Sequence, residues 1–194
     1  MKGIKMLKDL VVKSRSYRSF TPGVSIPYET LVDFIDTARQ TSAAMNIQPL
    51  KYRIVTSDEE RAGLMSVCRF ASSLGIKLPP EGHEPAAYIV ICHDCGICEP
   101  KPIFLNDVGI CAETIMLAAA EAGFGGCIIG SASPENIRAA LGLADNLLPQ
   151  LIVALGKPDE EVRLTEANDG KVKYYRDGAG IHYVPKRKLE DIII

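Results

Sequence analysis

The stretch at residues 106–130, NDVGICAETIMLAAAEAGFGGCIIG, decides the fold of this 194-residue chain. Its first part, residues 108–122, is apolar on most sides and therefore predicts a helix that is buried nearly all round. Glycines at positions 123, 125 and 126 end that helix, and residues 127–129 (CII) predict a short strand. Such complete burial needs more partner surface than a chain of this length usually offers, so the helix also indicates a subunit interface.

Further strand patterns on both sides of this stretch indicate a sheet. Residues 87–92 (AYIVIC) form a continuous apolar run, which is typical of a strand covered on both faces. Residues 150–155 (QLIVAL) are the most apolar strand candidate, and we expect them at the centre of the sheet. Residues 51–56 (KYRIVT) predict another strand. In the tail, residues 172–176 and 181–184 predict a hairpin around the turn DGAG.

Helical patterns are interleaved with these strands. Residues 6–12 predict a short amphipathic helix, and residues 59–74 predict a longer one. Pro27 opens another helix, and Ser133 caps one that runs to residue 141. The predicted buried stripe of the helix after Pro27 consists of Leu31, Phe34, Ile35 and Ala38. Because the order does not follow a strict βαβ period, we predict an α+β fold: one domain over residues 1–194 with a mixed, largely antiparallel central sheet flanked by helices.

The composition excludes several classes of protein. Apolar residues make up 47% of the chain and charged residues 24%, and the formal net charge of −2 gives no bulk attraction to nucleic acid or to an anionic membrane. Residues 1–14 carry four lysines and no uninterrupted apolar core, so we expect no signal peptide. No stretch reaches the roughly 18 apolar residues of a membrane-spanning helix. We therefore expect a cytoplasmic protein whose six cysteines are free thiols.

Two basic segments are candidates for binding an anion. In residues 14–20 (SRSYRSF), Arg15 and Arg18 offer guanidinium forks and Ser16 offers a hydroxyl, a combination that can hold a phosphate. Near the C-terminus, residues 185–189 (PKRKL) would matter only if the tail folds back over the first segment. The alternative for both segments is an ordinary solvated surface.

Two other segments could meet a planar ligand. In residues 42–49 (SAAMNIQP), Asn46 and Gln48 each offer a donor and an acceptor, which suits the edge of a heterocycle; the alternative is a turn at a helix end. Residues 123–130 (GFGGCIIG) fail as a dinucleotide fingerprint, because isoleucine stands at position 128 and the segment follows a helix and leads into a strand. A strand flanked by glycines can still offer bare backbone amides.

The cysteines leave three alternatives open. Cys92, Cys95 and Cys98 have the C-x2-C-x2-C spacing that begins an iron–sulfur run, but the fourth ligand of that run is missing. A redox-active dithiol of Cys95 and Cys98 is the second alternative, and unreactive free thiols are the third. We expect His83 and His93 in loops, where nothing pairs them at ligand spacing, and we expect no metal site.

The candidate segments, in this order and spacing, resemble the FMN-dependent nitroreductase family from about residue 14 to about residue 193. SRSYRSF matches the family's basic opening motif and SAAMNIQP its S-x-x-N-x-Q-P motif. The apolar helix and the strand CIIG fall where that family has its central helix and flavin-edge strand, and PKRKLEDI is similar to its terminal basic motif. The resemblance implies a homodimer that holds one FMN per subunit at the interface.

The resemblance also implies a role for particular residues. Arg15, Ser16 and Arg18 would contact the phosphate and ribityl chain, and Lys186 or Arg187 would return to the phosphate. The other implied contacts are Asn46 and Gln48, which would reach the flavin from the partner subunit, and Ile129 and Gly130, which would lie against the isoalloxazine with a backbone N–H aimed at N5. One departure is Ser14, which stands where the family commonly has arginine.

The activity implied by the resemblance is a flavin-dependent oxidoreduction. Hydride would pass from NAD(P)H to flavin N5, and the electrons would then reach a small organic acceptor, such as a nitroaromatic or a quinone, in a ping-pong mechanism. Because FMN would carry the chemistry, no catalytic side chain is expected. The alternatives are a non-catalytic flavin carrier or redox sensor, and an electron-transfer protein that uses the cysteine cluster.

Overall fold

A four-stranded antiparallel sheet lies at the centre of the protein in a computed structural model that describes residues 7–194. Its strand order is β1-β2-β4-β3, with every neighbouring pair antiparallel. The strands are β1 (Leu50–Val55), β2 (Ala87–Asp94), β3 (Gly125–Ile129) and β4 (Leu147–Gly156). All four correspond to predicted strands, and the α+β prediction is confirmed.

The two central strands are β2 and β4, as their apolar sequences predict. Seven of the eight residues of β2 are buried, and Ile89 lies opposite Val153 of β4. Side chains alternate between the two faces of such a strand. Ile89 and Ile91 therefore pack in one hydrophobic core, while Tyr88 and Val90 pack in a second core on the opposite face.

Residues 7–194 form five α-helices, of which four cover the two faces of the sheet, while α1 buries none of its residues. The first core receives side chains from α2 and α4, and the second receives side chains from α3 and α5. The helices are α1 (Leu7–Lys13), α2 (Tyr28–Arg39), α3 (Asp58–Val67), α4 (Phe104–Glu121) and α5 (Pro134–Leu141). Met6, where the predicted first helix begins, lies outside the described residues. Ser133 caps α5 as predicted, because its hydroxyl accepts the backbone N–H of Asn136 at 3.3 Å.

The prediction of one helix over residues 59–74 is wrong in its second half. Helix α3 ends at Val67, the chain then becomes extended at Cys68, and a short 3-10 turn follows at residues 72–74. An extended chain places alternate side chains on the same side. Cys68 and Phe70 are accordingly both buried in the second core while Arg69 stays exposed, and this burial outweighs the local helical pattern.

The prediction that the apolar helix is buried nearly all round is also wrong within one chain. Helix α4 buries the face that carries Val108, Ala112 and Ile115. Leu105, in the first turn of the helix, is 56% exposed, and Ile110, on the face opposite the core, is 40% exposed. Because α4 carries apolar residues at exposed positions as well as at buried ones, the sequence alone indicates complete burial.

A small second sheet forms from the C-terminal part of the chain. Its strands are β5 (Val162–Glu166), β6 (Tyr175–Arg176) and β7 (His182–Lys186), in the order β5-β7-β6. The antiparallel pair β6 and β7 confirms the predicted hairpin. The parallel pairing of β5 with β7 was not predicted from the sequence. Within residues 7–194, no helix is long and apolar enough to cross a membrane.

Candidate functional site

The segment with the two arginines is fixed along the edge of the central sheet. The backbone N–H of Tyr17 donates to the carbonyl of Gly126 in β3 at 2.8 Å, and Ser16 forms an isolated bridge with the same glycine. A Cβ atom on Gly125 would lie 2.6 Å from the Tyr17 ring. Gly125, the first residue of β3, therefore allows this segment to approach the strand closely.

A cleft of about 300 Å³ opens beside this segment. It brings the first basic motif together with β7, although the two are far apart in the sequence. Its lining comes from the N-terminal segment, α4, β3 and the small sheet: Ser14, Arg15, Ser16, Arg18, Glu113, Met116, Ile128, Tyr174, His182, Val184 and Lys186. We call this space the cationic cleft.

Several buried polar atoms of the cationic cleft have no hydrogen-bond partner among the described residues. They are Nε of Arg15, Nε of Arg18 and Nδ1 of His182. An unpaired buried donor costs free energy that a ligand can recover. The three cationic side chains outnumber Glu113, whose pKa is raised by burial. The cleft therefore fits an anion with several acceptor oxygens.

Arg18 is held by an ion-pair network behind the cleft. Its backbone N–H donates to one oxygen of the Glu160 carboxylate, and Arg176 pairs with the other oxygen. The Arg18 guanidinium lies 5.5 Å from the centre of the Tyr174 ring, and Tyr174 stacks on His182 at 5.3 Å between ring centroids. This stack orders the guanidinium at one wall of the cleft.

His182 is uncharged at neutral pH in this position. Burial, followed by the positive charges of Arg18 and Arg176, lowers its pKa to about 4. The ring is 1% exposed. A neutral imidazole can donate through one nitrogen, so His182 offers the cleft either a donor or an acceptor at Nδ1.

A second cleft of about 290 Å³ adjoins the first and shares Arg18, Ile128 and Tyr174 with it. Ile129 and Gly130 line this second cleft. The side chain of Ile129 is 4% exposed and packs in the second core, so mainly its backbone faces the cleft. The predicted phosphate residues and the predicted flavin-edge residues thus lie in two connected spaces.

Asn46 and Gln48 lie apart from both clefts in the same chain. They line neither space, and both are exposed. Their backbones have positive φ angles of 54°, and the Gln48 amide donates to Asn46 Oδ1 at 3.0 Å. The expectation that they reach the flavin of a partner subunit stays a prediction.

The three basic residues of the tail motif, at positions 186–188, lie in three different environments. Lys186 lines the cationic cleft. Arg187 lies beside Gly170 and does not line that cleft, and Lys188 forms an ion pair with Glu166 at 3.3 Å. Ser14, at the position of the family's arginine, is 5% exposed and contributes to the cleft wall. Among these side chains, Lys186 is the cation available to a ligand there.

Sequence reasoning did not find Tyr174, His182, Glu160 and Arg69. Tyr174 and His182 belong to the predicted hairpin, but no spacing in the sequence places that hairpin against Arg18. Arg69 enters the second cleft because the chain leaves the helical conformation before it. Its backbone N–H donates to the Ser131 hydroxyl at 3.1 Å.

The cysteine cluster does not assemble in the structure. Cys92 is buried in β2, whereas Cys95 and Cys98 are half-buried in the turn that follows. His93 also lies in β2 and is 2% exposed, so its placement in a loop was wrong. Among residues 7–194, no three His, Cys, Asp or Glu side chains form a group that could hold a metal ion.

Comparison with known proteins supports the sequence resemblance. A model of the nitroreductase family matches residues 101–157, which contain α4, β3, α5 and β4. A protein of Archaeoglobus fulgidus that carries the provisional name NADH dehydrogenase/NAD(P)H nitroreductase is 29% identical over 165 residues. The match covers 82% of this chain and 90% of that protein.

Solved structures share the fold. A Staphylococcus epidermidis protein, provisionally named an NAD(P)H:FMN oxidoreductase, has a TM-score of 0.70 at 19% identity over 100% of this chain and 97% of its own. A provisionally named nitroreductase from Exiguobacterium sibiricum, solved in complex with FMN, has a TM-score of 0.68 at 19% identity over 82% of this chain and 91% of its own. The family model, the relative and the fold agree with one another: the chain is similar to the nitroreductase family in sequence and shares the fold of its solved members.

Proposed function

We propose that the protein is an FMN-dependent oxidoreductase that uses NAD(P)H to reduce a small organic acceptor, such as a nitroaromatic or a quinone, by a ping-pong mechanism. The observation that carries this proposal is the convergence of Arg15, Arg18 and Lys186 on one cleft beside the end of β3. The names of the relative and of the two solved proteins are consistent with an oxidoreductase.

The unpaired atoms of the cationic cleft fit the phosphate of FMN. Nε of Arg15 and Nε of Arg18 are buried donors without partners among the described residues, and the Lys186 ammonium adds a third cation. Charge-assisted hydrogen bonds to a phosphate are stronger than neutral ones. We assign these three side chains to the phosphate and the Ser16 hydroxyl to the phosphate or the ribityl chain.

The second cleft fits a flat ring that continues from the first. Its wall consists of the end of β3, where Ile129 contributes its backbone and Gly130 has no side chain. We assign these two residues to the isoalloxazine, with a backbone N–H directed at its N5 edge. FMN, when bound, would supply the hydride-transfer and electron-transfer chemistry of the reaction.

The protein's part in the reaction is to bind and to orient. Cations and N–H donors at a flavin site favour the negatively charged reduced form. A single chain offers no contact from Asn46 or Gln48 to either cleft. We therefore propose a homodimer in which these amides reach the flavin bound mainly by the partner chain. The exposed apolar side chains of Leu105 and Ile110 on α4 provide an interface for such a dimer.

A titration of the purified full-length protein with FMN tests the proposal. We expect one FMN per chain to bind with quenching of flavin fluorescence, and NAD(P)H to bleach the visible flavin bands under anaerobic conditions. Adding a quinone should restore the bands. Binding without bleaching would contradict the oxidoreductase and favour a flavin carrier, and no binding would contradict the whole proposal.

A further inference from the structure

Two of the six cysteines are chemically accessible, and they lie three residues apart. Cys95 and Cys98 are half-buried, while the other four cysteines are buried. Burial raises the pKa of Cys68 to about 12 and that of Cys92 to about 11, which keeps these two protonated and unreactive at neutral pH. A reagent in solution therefore meets the Cys95 and Cys98 thiols first.

The turn that follows β2 carries both thiols and is anchored by hydrogen bonds to Asp94 and Asn146. One carboxylate oxygen of Asp94 accepts the Gly96 backbone N–H at 2.9 Å and the Asn146 side-chain amide at 2.7 Å. The backbone N–H of Cys95 donates to the Asn146 carbonyl at 2.8 Å, and that of Ile97 donates to the Asp94 carbonyl at 3.0 Å. The two cysteines are thus presented from a fixed tight turn.

His93 distinguishes the two sulfur atoms. Its Nε2 lies 2.8 Å from the Cys98 carbonyl oxygen and 3.8 Å from Cys98 Sγ. A carbonyl oxygen can only accept, so Nε2 carries the hydrogen and directs it towards this part of Cys98. The same N–H lies within 3.8 Å of Cys98 Sγ, where it can stabilise the negative charge that this sulfur carries during thiol exchange. Cys98 is therefore the better placed nucleophile.

We propose that Cys95 and Cys98 form a thiol–disulfide exchange site for small organic disulfides. The Cys98 thiolate attacks one sulfur of the disulfide, forms a mixed disulfide and releases one organic thiolate. Cys95, after losing its proton to water, attacks Cys98 Sγ, forms the Cys95–Cys98 disulfide and releases the second thiolate. The two protein thiols are oxidised, the organic disulfide is reduced by two electrons to two thiolates, and the two thiol protons pass to water.

This site is independent of the proposed flavin site. Neither cysteine lines the cationic cleft or the cleft beside Gly130. The exchange needs no flavin and no NAD(P)H. Success or failure of the thiol chemistry therefore leaves the flavin proposal untouched.

The test uses the reduced full-length protein with one equivalent of 5,5′-dithiobis(2-nitrobenzoate), a disulfide whose released thiolate is coloured. We expect the rapid release of two coloured thiolates per reagent molecule. Mass spectrometry should then show a protein that has lost two hydrogens and carries no adduct, and peptide mapping should locate a Cys95–Cys98 disulfide. A persistent adduct in the wild-type protein, or release of only one thiolate, would overturn the proposal.

Variants assign the two roles. Cys95→Ser should release one thiolate at the wild-type rate and keep the adduct on Cys98, because nothing resolves the mixed disulfide. Cys98→Ser and His93→Gln should each slow the first release several-fold. Cys68→Ala, which removes a buried thiol, is the matched control and should behave like the wild type. Equal rates in the wild type and Cys98→Ser would show that Cys98 is not the attacking thiol.

Discussion

Asp107 holds the backbone of Ala44 with both of its carboxylate oxygens, at 3.0 and 3.1 Å from the Ala44 nitrogen. Asp107 lies in the first turn of α4 and is 3% exposed. The residues that follow Ala44 include Met45 and Asn46, whose positive φ angles are unusual for residues other than glycine. A buried carboxylate on the central helix thus fixes the start of a strained segment that carries two predicted flavin contacts.

Replacing this carboxylate should loosen the segment. Asp107→Ala leaves the Ala44 N–H without a partner, so we expect the free energy of unfolding to fall by about 1–3 kcal/mol. Asp107→Asn keeps one acceptor and should lose less. Urea unfolding measures the free energy of unfolding of the two variants. Equal losses of stability would show that the hydrogen bond to Ala44 is not the source of the effect.

Removal of the Arg18 side chain should weaken FMN binding. A charge-assisted contact is worth about 1.5–3 kcal/mol, so Arg18→Ala should raise the dissociation constant roughly 10- to 100-fold. The backbone N–H of Arg18 that binds Glu160 is retained in this variant. Fluorescence titration with FMN measures the change. Arg39→Ala, on the exposed face of α2, is the control, and an unchanged affinity in Arg18→Ala would remove Arg18 from the phosphate site.

The adjacent cations of the tail provide a sharper comparison. Lys186 lines the cationic cleft, and Arg187 lies beside Gly170 outside it. We expect Lys186→Gln to weaken FMN binding by roughly tenfold and Arg187→Gln to leave it within about twofold, because only the first loses a charge at the ligand. The same titration decides between them. If Arg187→Gln weakened FMN binding more than Lys186→Gln did, the phosphate contact would belong to Arg187 and not to Lys186.

Acidic pH should destabilise the fold through His182. Its pKa is about 4 in the folded protein and near 6.5 when unfolded, so the unfolded chain binds more protons between these values. The stability therefore falls as the pH drops below about 6.5, by about 2 kcal/mol at pH 5 relative to pH 7. His182→Gln should reduce this drop in urea unfolding. An unchanged drop in His182→Gln would show that His182 is not its source.

The exposed apolar residues of α4 should determine the oligomeric state. If Leu105 and Ile110 lie in a subunit interface, a charged side chain at position 110 would lose its hydration when the dimer forms. We therefore expect Ile110→Asp to dissociate the dimer. Sedimentation equilibrium of the purified protein measures this. Val32→Asp, at a 38% exposed apolar position on α2, should remain dimeric. A wild-type protein that is monomeric with FMN bound would contradict the interface.

Much of the fold follows from local patterns. The strand sequences AYIVIC and QLIVAL are apolar enough to identify the central pair β2 and β4 without any tertiary information. Cys68 and Phe70 show where this fails, because their burial depends on the second core and not on the adjacent residues. The β5–β7 pairing was missed for a related reason: a parallel pair requires a long connection, which leaves no local turn signal.

The sequence predicts those parts of the candidate site that lie in local motifs, and it misses those that depend on the tertiary fold. Arg15, Arg18 and Lys186 each belong to a recognisable basic segment, and the family resemblance connects the segments. The position of His182 against Arg18 depends on how the tail folds back, which no single segment encodes. The choice of Lys186 over Arg187 required the pairing register of β7.

The cationic cleft depends on two long-range contacts: the β-bridge between Ser16 and Gly126, and the return of β7 to the wall of the cleft. Contacts between residues so far apart in the chain form slowly, because a long loop must close before any of them is made. The cleft therefore becomes complete only when both ends of the chain have docked on the sheet. A molecule that binds there selects the fully folded protein over every partly folded one, and its concentration sets how long the protein survives unfolding and proteolysis.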